Sequence, residues 1–390
     1  MKKLKKKKIC VVTGSRADYY LLKNLISNLN KSKKYELSVI VTGQHLSRNY
    51  GSTFKEVYSD FGKICHSIQI NITKTNSSSV INSIGLGISK IGKYFELNRP
   101  NLVILLGDRY EMLSAGVAAL FNNLKIVHIY GGEVTIGSID DTIRHTLTKF
   151  SHYHFVSIAT YKKRVVQMGE NPKNVFIVGS LGAENIKKIK LISKKELERK
   201  LSIKFNKYNF LITINSFIEE KISINSFLNN FFLTLKKFKH TSFIFTLPNS
   251  DLKSDLIRNK IIEFCKKNKN SYIFKSLGLK NYLSCMKVCN LVLGNSSSGI
   301  LEAPTLKKPT VNIGDRQKGR IQSISIINSG YSAKEIYDCI KKSLSPNFNM
   351  KIKKTVNPYY KKNTSFNITK IIEKKILNKA KEIKKFYDVK

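Results

Sequence analysis

The sequence predicts an α/β protein made of two doubly wound parallel-sheet domains that face each other across a cleft. Three observations carry this expectation. Short β-branched, apolar runs alternate with helical periodicity along most of the chain. The alternation is broken once, by a Lys-rich stretch from about Asn185 to Asn206, and then restarts. Small and polar motif-like segments follow directly on several strand candidates, and open parallel sheets bind ligands beyond the carboxyl ends of their strands.

In the first half, strands are expected at Lys8–Thr13, Leu37–Thr42, Leu102–Leu106, Ile126–Ile129, His154–Ser157 and Val175–Val178. Helical periodicity runs through Tyr19–Leu29, Val80–Leu97, Tyr110–Phe121, Asp141–Phe150 and Thr160–Met168. The near-continuous apolar strands imply a sheet covered on both faces. Beyond the Lys-rich stretch, strands are expected at Phe210–Thr213, Ser242–Thr246, Tyr272–Phe274, Leu291–Leu293 and Thr310–Ile313. The tail from about Phe366 to Phe386 reads as an amphipathic helix with Ile368, Ile371, Ile372 and Ile376 on one stripe. The expected units are residues 1–184, residues 207–364 and a carboxyl-terminal helix, 365–390, packed back on the first domain.

Composition narrows the function class. A chain of 390 residues with 42% hydrophobic and 10% aromatic content can build packed cores and is not a disordered sequence. No apolar run reaches the ~18 residues of a membrane span, and the basic amino-terminal segment lacks the apolar region of a signal peptide. A cytoplasmic protein without membrane insertion is the expectation. The net charge of +43 invites a nucleic-acid partner. Yet the lysines lie in almost every segment and no nucleic-acid motif accompanies them, so no specific nucleic acid is expected. The six cysteines contain no Cys-x-x-Cys pair; they read as free thiols, and no metal site is expected. Only 10 of the 69 basic residues are arginine. Arg16, Arg109, Arg144, Arg316 and Arg320 all fall in the motif-like segments, where a planar fork suits phosphate or carboxylate.

Four segments carry chemistry. Thr13-Gly-Ser-Arg-Ala-Asp18 turns from the first strand into a helix whose start can hold an anion, with Arg16 beside it. Gly107-Asp-Arg-Tyr-Glu111 places Asp108 and Arg109 at a strand's carboxyl end. The densest polar run, His128 to His145, holds Glu133, Asp140 and Asp141, and carboxylates crowded in a cleft can separate into one acid and one base. Helix capping by Ser138 or Asp140 and an Asp141–His145 pair are the plain structural alternatives there. Gly294-Asn-Ser-Ser-Ser-Gly299 runs into a helix and offers backbone N–H groups and the Ser296 and Ser297 hydroxyls to phosphate, with Glu302 placed for ribose hydroxyls. Gly314-Asp-Arg-Gln adds Arg316, and Arg320 follows.

In this order the segments resemble the UDP-N-acetylglucosamine 2-epimerases, most closely the hydrolysing branch, over roughly residues 8 to 325. The resemblance rests jointly on Gly14-Ser-Arg-Ala, Gly107-Asp-Arg, Gly131-Gly-Glu-Val-Thr with Ile139-Asp-Asp-Thr-Ile-Arg-His, Gly294-Asn-Ser-Ser-Ser-Gly and Gly314-Asp-Arg-Gln. It implies two Rossmann-like domains of the glycosyltransferase-B type, a UDP-sugar substrate, a homo-oligomer and no cofactor. The implied reaction eliminates UDP with loss of the C2 proton and hydrates the resulting glycal with inversion at C2, feeding nonulosonic acid synthesis. Asp108 and Asp140 match the family's acidic catalytic positions, with Glu133 and Asp141 close by as further candidates. Arg16, Ser296, Ser297, Glu302 and Arg316 match nucleotide contacts, Asn249 matches a polar position of the second domain, and Arg109 and His145 are candidates for substrate contact. Two positions depart from the pattern. Tyr130 stands where a glutamate is common, and Asn215-Ser216 stands where a His-Pro pair is usual; asparagine cannot shuttle a proton near neutral pH. A sugar-nucleotide-binding protein with impaired catalysis, and a transferase of the same architecture, are therefore the alternative expectations. The sequence leaves open which acetamido sugar is used, and UDP against GDP.

Overall fold

A computed structural model describes residues 6–70, 76–136, 138–217, 222–248, 251, 253–380 and 383–389. The strands are β1 (Lys7–Thr13), β2 (Tyr35–Thr42), β3 (Cys65–Ile68), β4 (Leu102–Leu106), β5 (Ile126–Ile129), β6 (Tyr153–Val156), β7 (Val175–Ile177), β8 (Tyr208–Thr213), β9 (Thr241–Thr246), β10 (Ser271–Phe274), β11 (Leu291–Gly294), β12 (Thr310–Ile313) and β13 (Ile326–Ser329). They form a seven-stranded sheet, β3-β2-β1-β4-β5-β6-β7, and a six-stranded sheet, β10-β9-β8-β11-β12-β13. Every pairing is parallel.

The two sheets repeat one winding order. In each, the chain runs outward to one edge, then returns to the middle and runs to the other, so the direction reverses between β1 and β4 and again between β8 and β11. Those reversals open crevices at the strands' carboxyl ends. Alternation along β1 feeds two cores: Ile9 and Val11 pack on one face, Cys10 and Val12 on the other. The second sheet is covered in the same way, with Phe210 and Ile212 on one face and Leu211 on the other.

β3 and β13 are edge strands that the sequence expectation omitted. Cys65-His-Ser-Ile and Ile326-Ile-Asn-Ser are each only partly buried, so neither carries the apolar run of an inner strand. The Lys-rich stretch is also more ordered than expected. It contains the end of the Leu181–Lys188 helix and a second helix, Lys194–Leu201, whose exposed lysines obscure a short apolar face.

The tail corrects one expectation. Its helix spans Thr364–Ile371, continues as a π-turn through Ile372–Ile376, and does not reach Phe386. The helix ends where its apolar stripe ends. Ile368, Ile372 and Ile376 are fully buried in the first domain's core, against the helix Arg16–Asn30. Beyond it, tertiary partners replace helical ones. The Lys384 ammonium donates to the Ser151 carbonyl at 2.6 Å and pairs with Glu170 at 2.8 Å, and the Tyr387 N–H donates to the Gly169 carbonyl at 2.9 Å. Ile372→Ala is expected to cost about 2–5 kcal/mol, read as a lowered urea midpoint; a loss under about 0.5 kcal/mol would show that this return crossing adds little to the first core. Of the six cysteines, Cys10, Cys65, Cys285 and Cys289 are buried and Cys265 and Cys339 half-buried, all free. No helix among the described residues is long and apolar enough to cross a membrane.

Candidate active site

The crevices of the two sheets face each other, and a cavity of about 160 Å³ lies between them. Its lining comes from the ends of β1 (Ser15, Asp18), β4 (Asp108, Arg109), β5 (Tyr130, Glu133, Thr135), the helix start at Asp140, β8 (Asn215), β11 (Ser297) and the loop after β12 (Arg316, Arg320). Backbone geometry fixes two of these turns. Gly294 has φ +131, and a Cβ there would lie 2.1 Å from the Thr213 carbonyl oxygen. Only glycine lets β11 turn so close to β8. At Gly14, a Cβ would come within 2.8 Å of the Glu111 side chain, which is fully buried under the β1 turn.

Arginines and carboxylates alternate through the cavity. Arg144 is 1% exposed and pairs with Asp108; it also reaches Asp141 at 3.0 Å, the Glu133 carbonyl at 3.0 Å and the Thr135 hydroxyl at 2.8 Å. From the second domain, Arg320 pairs with Glu133 at 2.9 Å and Arg316 with Asp140 at 3.4 Å. Burial leaves Arg316 Nε and Arg320 Nη1 without protein partners. Both arginines line the interdomain cavity, and guanidinium groups there suit an anionic ligand.

The two central carboxyls are pushed apart electrostatically. Burial alone would raise Asp108, but Arg144, Arg320 and Arg316 around it outweigh burial and hold it below its ordinary value. Asp140 is raised to about 7, first by burial and then by the charges of Asp251 and Asp108, against the opposing pull of Arg316 and Arg109. One carboxylate thus stays ionised while its neighbour exchanges a proton near neutrality, the arrangement that general acid–base chemistry uses. His128 lies behind them, lowered to about 3 by burial, and bonds the Gly107 carbonyl at 2.8 Å. Its role is to support the β4 turn.

The cavity gathers Asp108, Glu133, Asp140, Arg109, Ser297 and Arg316. Arg16 lies at the edge of the cleft, where its guanidinium donates to the Lys275 carbonyl of the second domain. Glu302 sits at the interface, and a Cβ on Gly182 of the first domain would meet its carboxyl oxygen at 2.8 Å; burial raises Glu302 to about 7. The remaining candidates are placed elsewhere. Asp141 accepts from the Thr135 N–H at 2.6 Å and pairs with Arg144 and, at 3.5 Å, with His145. Asp141 and His145 therefore buttress the helix start and do not line the cavity. Ser138 caps that helix. The Ser296 hydroxyl accepts from the Ser298 N–H at 3.4 Å and is not in the cavity lining. Asn249 lies outside the described residues. The sequence reading passed over Glu111 and Asp251, both of which grip Arg109, and Tyr282, whose hydroxyl bonds Ser298.

Tyr130 is held at φ +73 and buried, and its hydroxyl accepts from the Leu181 N–H at 2.8 Å and bonds the Ser180 hydroxyl at 3.2 Å. Burial pushes its phenol above its ordinary range, so it is a polar wall and not an acid. Asn215 shares the cavity wall with the catalytic candidates, its backbone clasped by the Asn295 side chain at 2.7 and 2.8 Å. A larger cavity, about 690 Å³, opens beside Asn312 and Tyr331 with Asp315, Glu335 and Lys318 in its wall, but no arginine lines it. Among the described residues, no group of three His, Cys, Asp or Glu side chains is placed to hold a metal ion.

Comparison with known proteins agrees with this geometry. A family model described as UDP-N-acetylglucosamine 2-epimerase matches residues 27–373. The chain is 38% identical over 384 residues to the polysialic acid biosynthesis protein P7 of Escherichia coli, covering 98% of each chain. It is 42% identical over 327 residues to the GDP/UDP-N,N'-diacetylbacillosamine 2-epimerase (hydrolyzing) of Campylobacter jejuni, covering 84% of this chain and 85% of that one. Its fold matches the crystal structure of a UDP-GlcNAc 2-epimerase from Neisseria meningitidis bound to UDP-GlcNAc, with a TM-score of 0.79 and 21% identity over 94% of this chain and 100% of that one. With its crevices, its arginine-lined cavity and its match across both domains, the chain belongs to the UDP-N-acetylglucosamine 2-epimerase family.

Proposed function

We propose that this protein is a hydrolysing 2-epimerase that converts a UDP-linked 2-acetamido sugar and water into UDP and the free 2-epimer. The observation that carries the reading is the division between Asp108, held ionised by Arg144, and Asp140, raised to about 7 within the same cavity. Asp140 takes the C2 proton as the C1–O bond to UDP breaks, and the electron pair closes the C1–C2 double bond. Water then adds its oxygen to C1, and a proton arrives at C2 from the opposite face. Asp108, ionised throughout, counters the positive charge that gathers at C1 as UDP departs. Negative charge collects on the leaving diphosphate, where Arg316, Arg16 and the Gly294–Ser298 turn supply donors, and donors aimed at charge that develops in the transition state lower the barrier most. Ser296 assists through that turn, Glu302 accepts from the ribose, and Glu133 contributes to the sugar contacts; Asn249 is a further candidate for substrate or nucleotide binding. Arg320, through its unpartnered N–H, adds to the anion grip.

The names of the relatives frame the substrate: UDP-N-acetylglucosamine or its 2,4-diacetamido-trideoxy counterpart. Incubating the protein with each sugar nucleotide should release UDP together with one reducing sugar epimeric at C2, identified by NMR. Absence of UDP release from both by folded protein would defeat this reading. Asn215 favours a second reading, since an amide in the cavity wall cannot relay a proton; tight UDP binding by calorimetry with no turnover would select it.

A further inference from the structure

Arg109 is held from both sides of the cleft. Its Nε and Nη2 donate to the Glu111 carboxylate at 3.1 and 3.4 Å, and its Nη1 donates to Asp251 of the second domain at 3.1 Å. Glu111 is fully buried, wedged against Gly14 and Gly43, where a Cβ on either glycine would come within 3 Å of it. Glu111 therefore anchors the guanidinium to the first domain and leaves one edge turned toward the second. The side chains of Arg109 and Asp251 are 11% and 18% exposed, so the pair is largely withdrawn from water and sensitive to the loss of either partner. Two further ties join the same parts of the domains. The Arg258 guanidinium lies 4.8 Å over the Tyr50 ring, and Arg16 donates to the Lys275 carbonyl. Of the three, only Arg109–Asp251 is an ion pair, and only Arg109 lines the central cavity together with Asp140.

We propose that Asp251 is a positioning residue supplied by the second domain, which holds the cleft closed over Asp140 by pairing with Arg109. This rests on the reading of Asp140 as the acid–base group. It also revises the part played by Arg109. With donors engaged by Glu111 and Asp251, Arg109 ties the domains together instead of contacting substrate.

The consequence is that closure sets the charge around Asp140. The groups that act on Asp140 are Arg316 and Asp251 from the second domain, and Asp108 and Arg109 from the turn after β4. On its own helix, Asp141 is taken up by Arg144 and His145. Removing the Asp251 charge takes away the largest like-charge influence on Asp140 and leaves Arg109 to pull its proton affinity down. The acid side of the pH–rate profile should then move to lower pH.

The test compares wild type, Asp251→Asn and Asp251→Glu as full chains. Asp251→Asn is expected to lower the melting point, because it breaks a largely buried pair, and also to lower kcat about tenfold and to shift the acid limb of kcat/KM down by about one pH unit. Asp251→Glu should restore most of the limb. A residue that merely supported folding would move the melting point and leave the limb in place. Small-angle scattering gives a readout that does not depend on turnover: Asp251→Asn should be more expanded than wild type. If Asp251→Asn is as compact as wild type, the proposal is overturned, whatever the activity. If wild type is the more compact of the two but turns nothing over, the function assignment fails while the closure contact stands.

Discussion

Asp140→Asn is expected to lower kcat by about 10²–10⁴-fold while leaving UDP affinity within a few-fold of wild type. The reason is local. Asp140 begins the helix Ile139–Phe150, where Ser138 caps its N–H, and its carboxyl faces Arg316 at 3.4 Å across the cleft. Asparagine keeps the size and can still accept from Arg316, so the closed geometry and the diphosphate grip survive. What disappears is a group that changes protonation near neutrality. Because Asp140 is raised to about 7, its ionised, proton-accepting form is lost as pH falls through that value. Wild-type kcat/KM should therefore drop on the acid side with an apparent midpoint near 7, and Asp140→Asn should show residual activity with no such limb. A pH–rate profile for both proteins, with UDP binding by calorimetry at each pH, decides it. An unchanged limb in the variant would move the acid–base role to another residue.

Arg144→Met should have the largest effect on stability, about 3–5 kcal/mol. Arg144 is almost fully buried and is the common partner of Asp108, Asp141, the Glu133 carbonyl and the Thr135 hydroxyl. Methionine fills part of the space but leaves Asp108 without its strongest opposite charge. Uncompensated buried carboxylates are expensive, so the remaining protein should also lose the division between Asp108 and Asp140. The pH dependence has a definite sign. Arg144 and its neighbours hold Asp108 below its ordinary value, so the stability that the pair contributes is present above the ordinary carboxylate range and lost as pH falls through Asp108's folded value. The deficit of Arg144→Met should be full at pH 7 and narrow as pH falls below the ordinary carboxylate range. Urea unfolding at several pH values measures it; a deficit that does not change with pH would assign the loss to packing alone.

What could be read in the sequence follows from burial. β1, β4, β8 and β11 are covered on both faces, so each is an unbroken apolar run that announces itself. β3 and β13 lie at sheet edges, where His66, Ser67 and Asn328 are tolerated and the periodic signal is lost. The turns that follow the inner strands were legible for a related reason: Gly14, Gly107 and Gly294 stand where a strand bends sharply into a helix, and acidic, cationic or hydroxyl side chains cluster beside them. Contacts that depend on the second domain were not legible. Nothing in the spacing of Asp251 marks it as the partner of Arg109, 142 positions away. Within one helix turn the sequence offered Asp140, Asp141 and His145 together, and only the fold shows that Asp140 faces the cavity while Asp141 and His145 face each other. The tail misled for a different reason. Its lysines continue a helical rhythm past Ile376, but Lys384 and Phe386 are claimed by Glu170, Lys149 and the Gly169 turn of the first domain.

The most direct measurement is the fate of the hydrogen at C2. Turnover of the UDP-sugar in heavy water, with the released sugar examined by NMR and mass spectrometry, should show one solvent deuterium at C2 on the inverted face. Elimination removes the original proton to Asp140, and hydration delivers another from the opposite side. A released sugar that keeps its own C2 hydrogen and its starting configuration would show plain hydrolysis of the glycosyl phosphate, and would contradict the assignment of Asp140 as the group that takes the C2 proton.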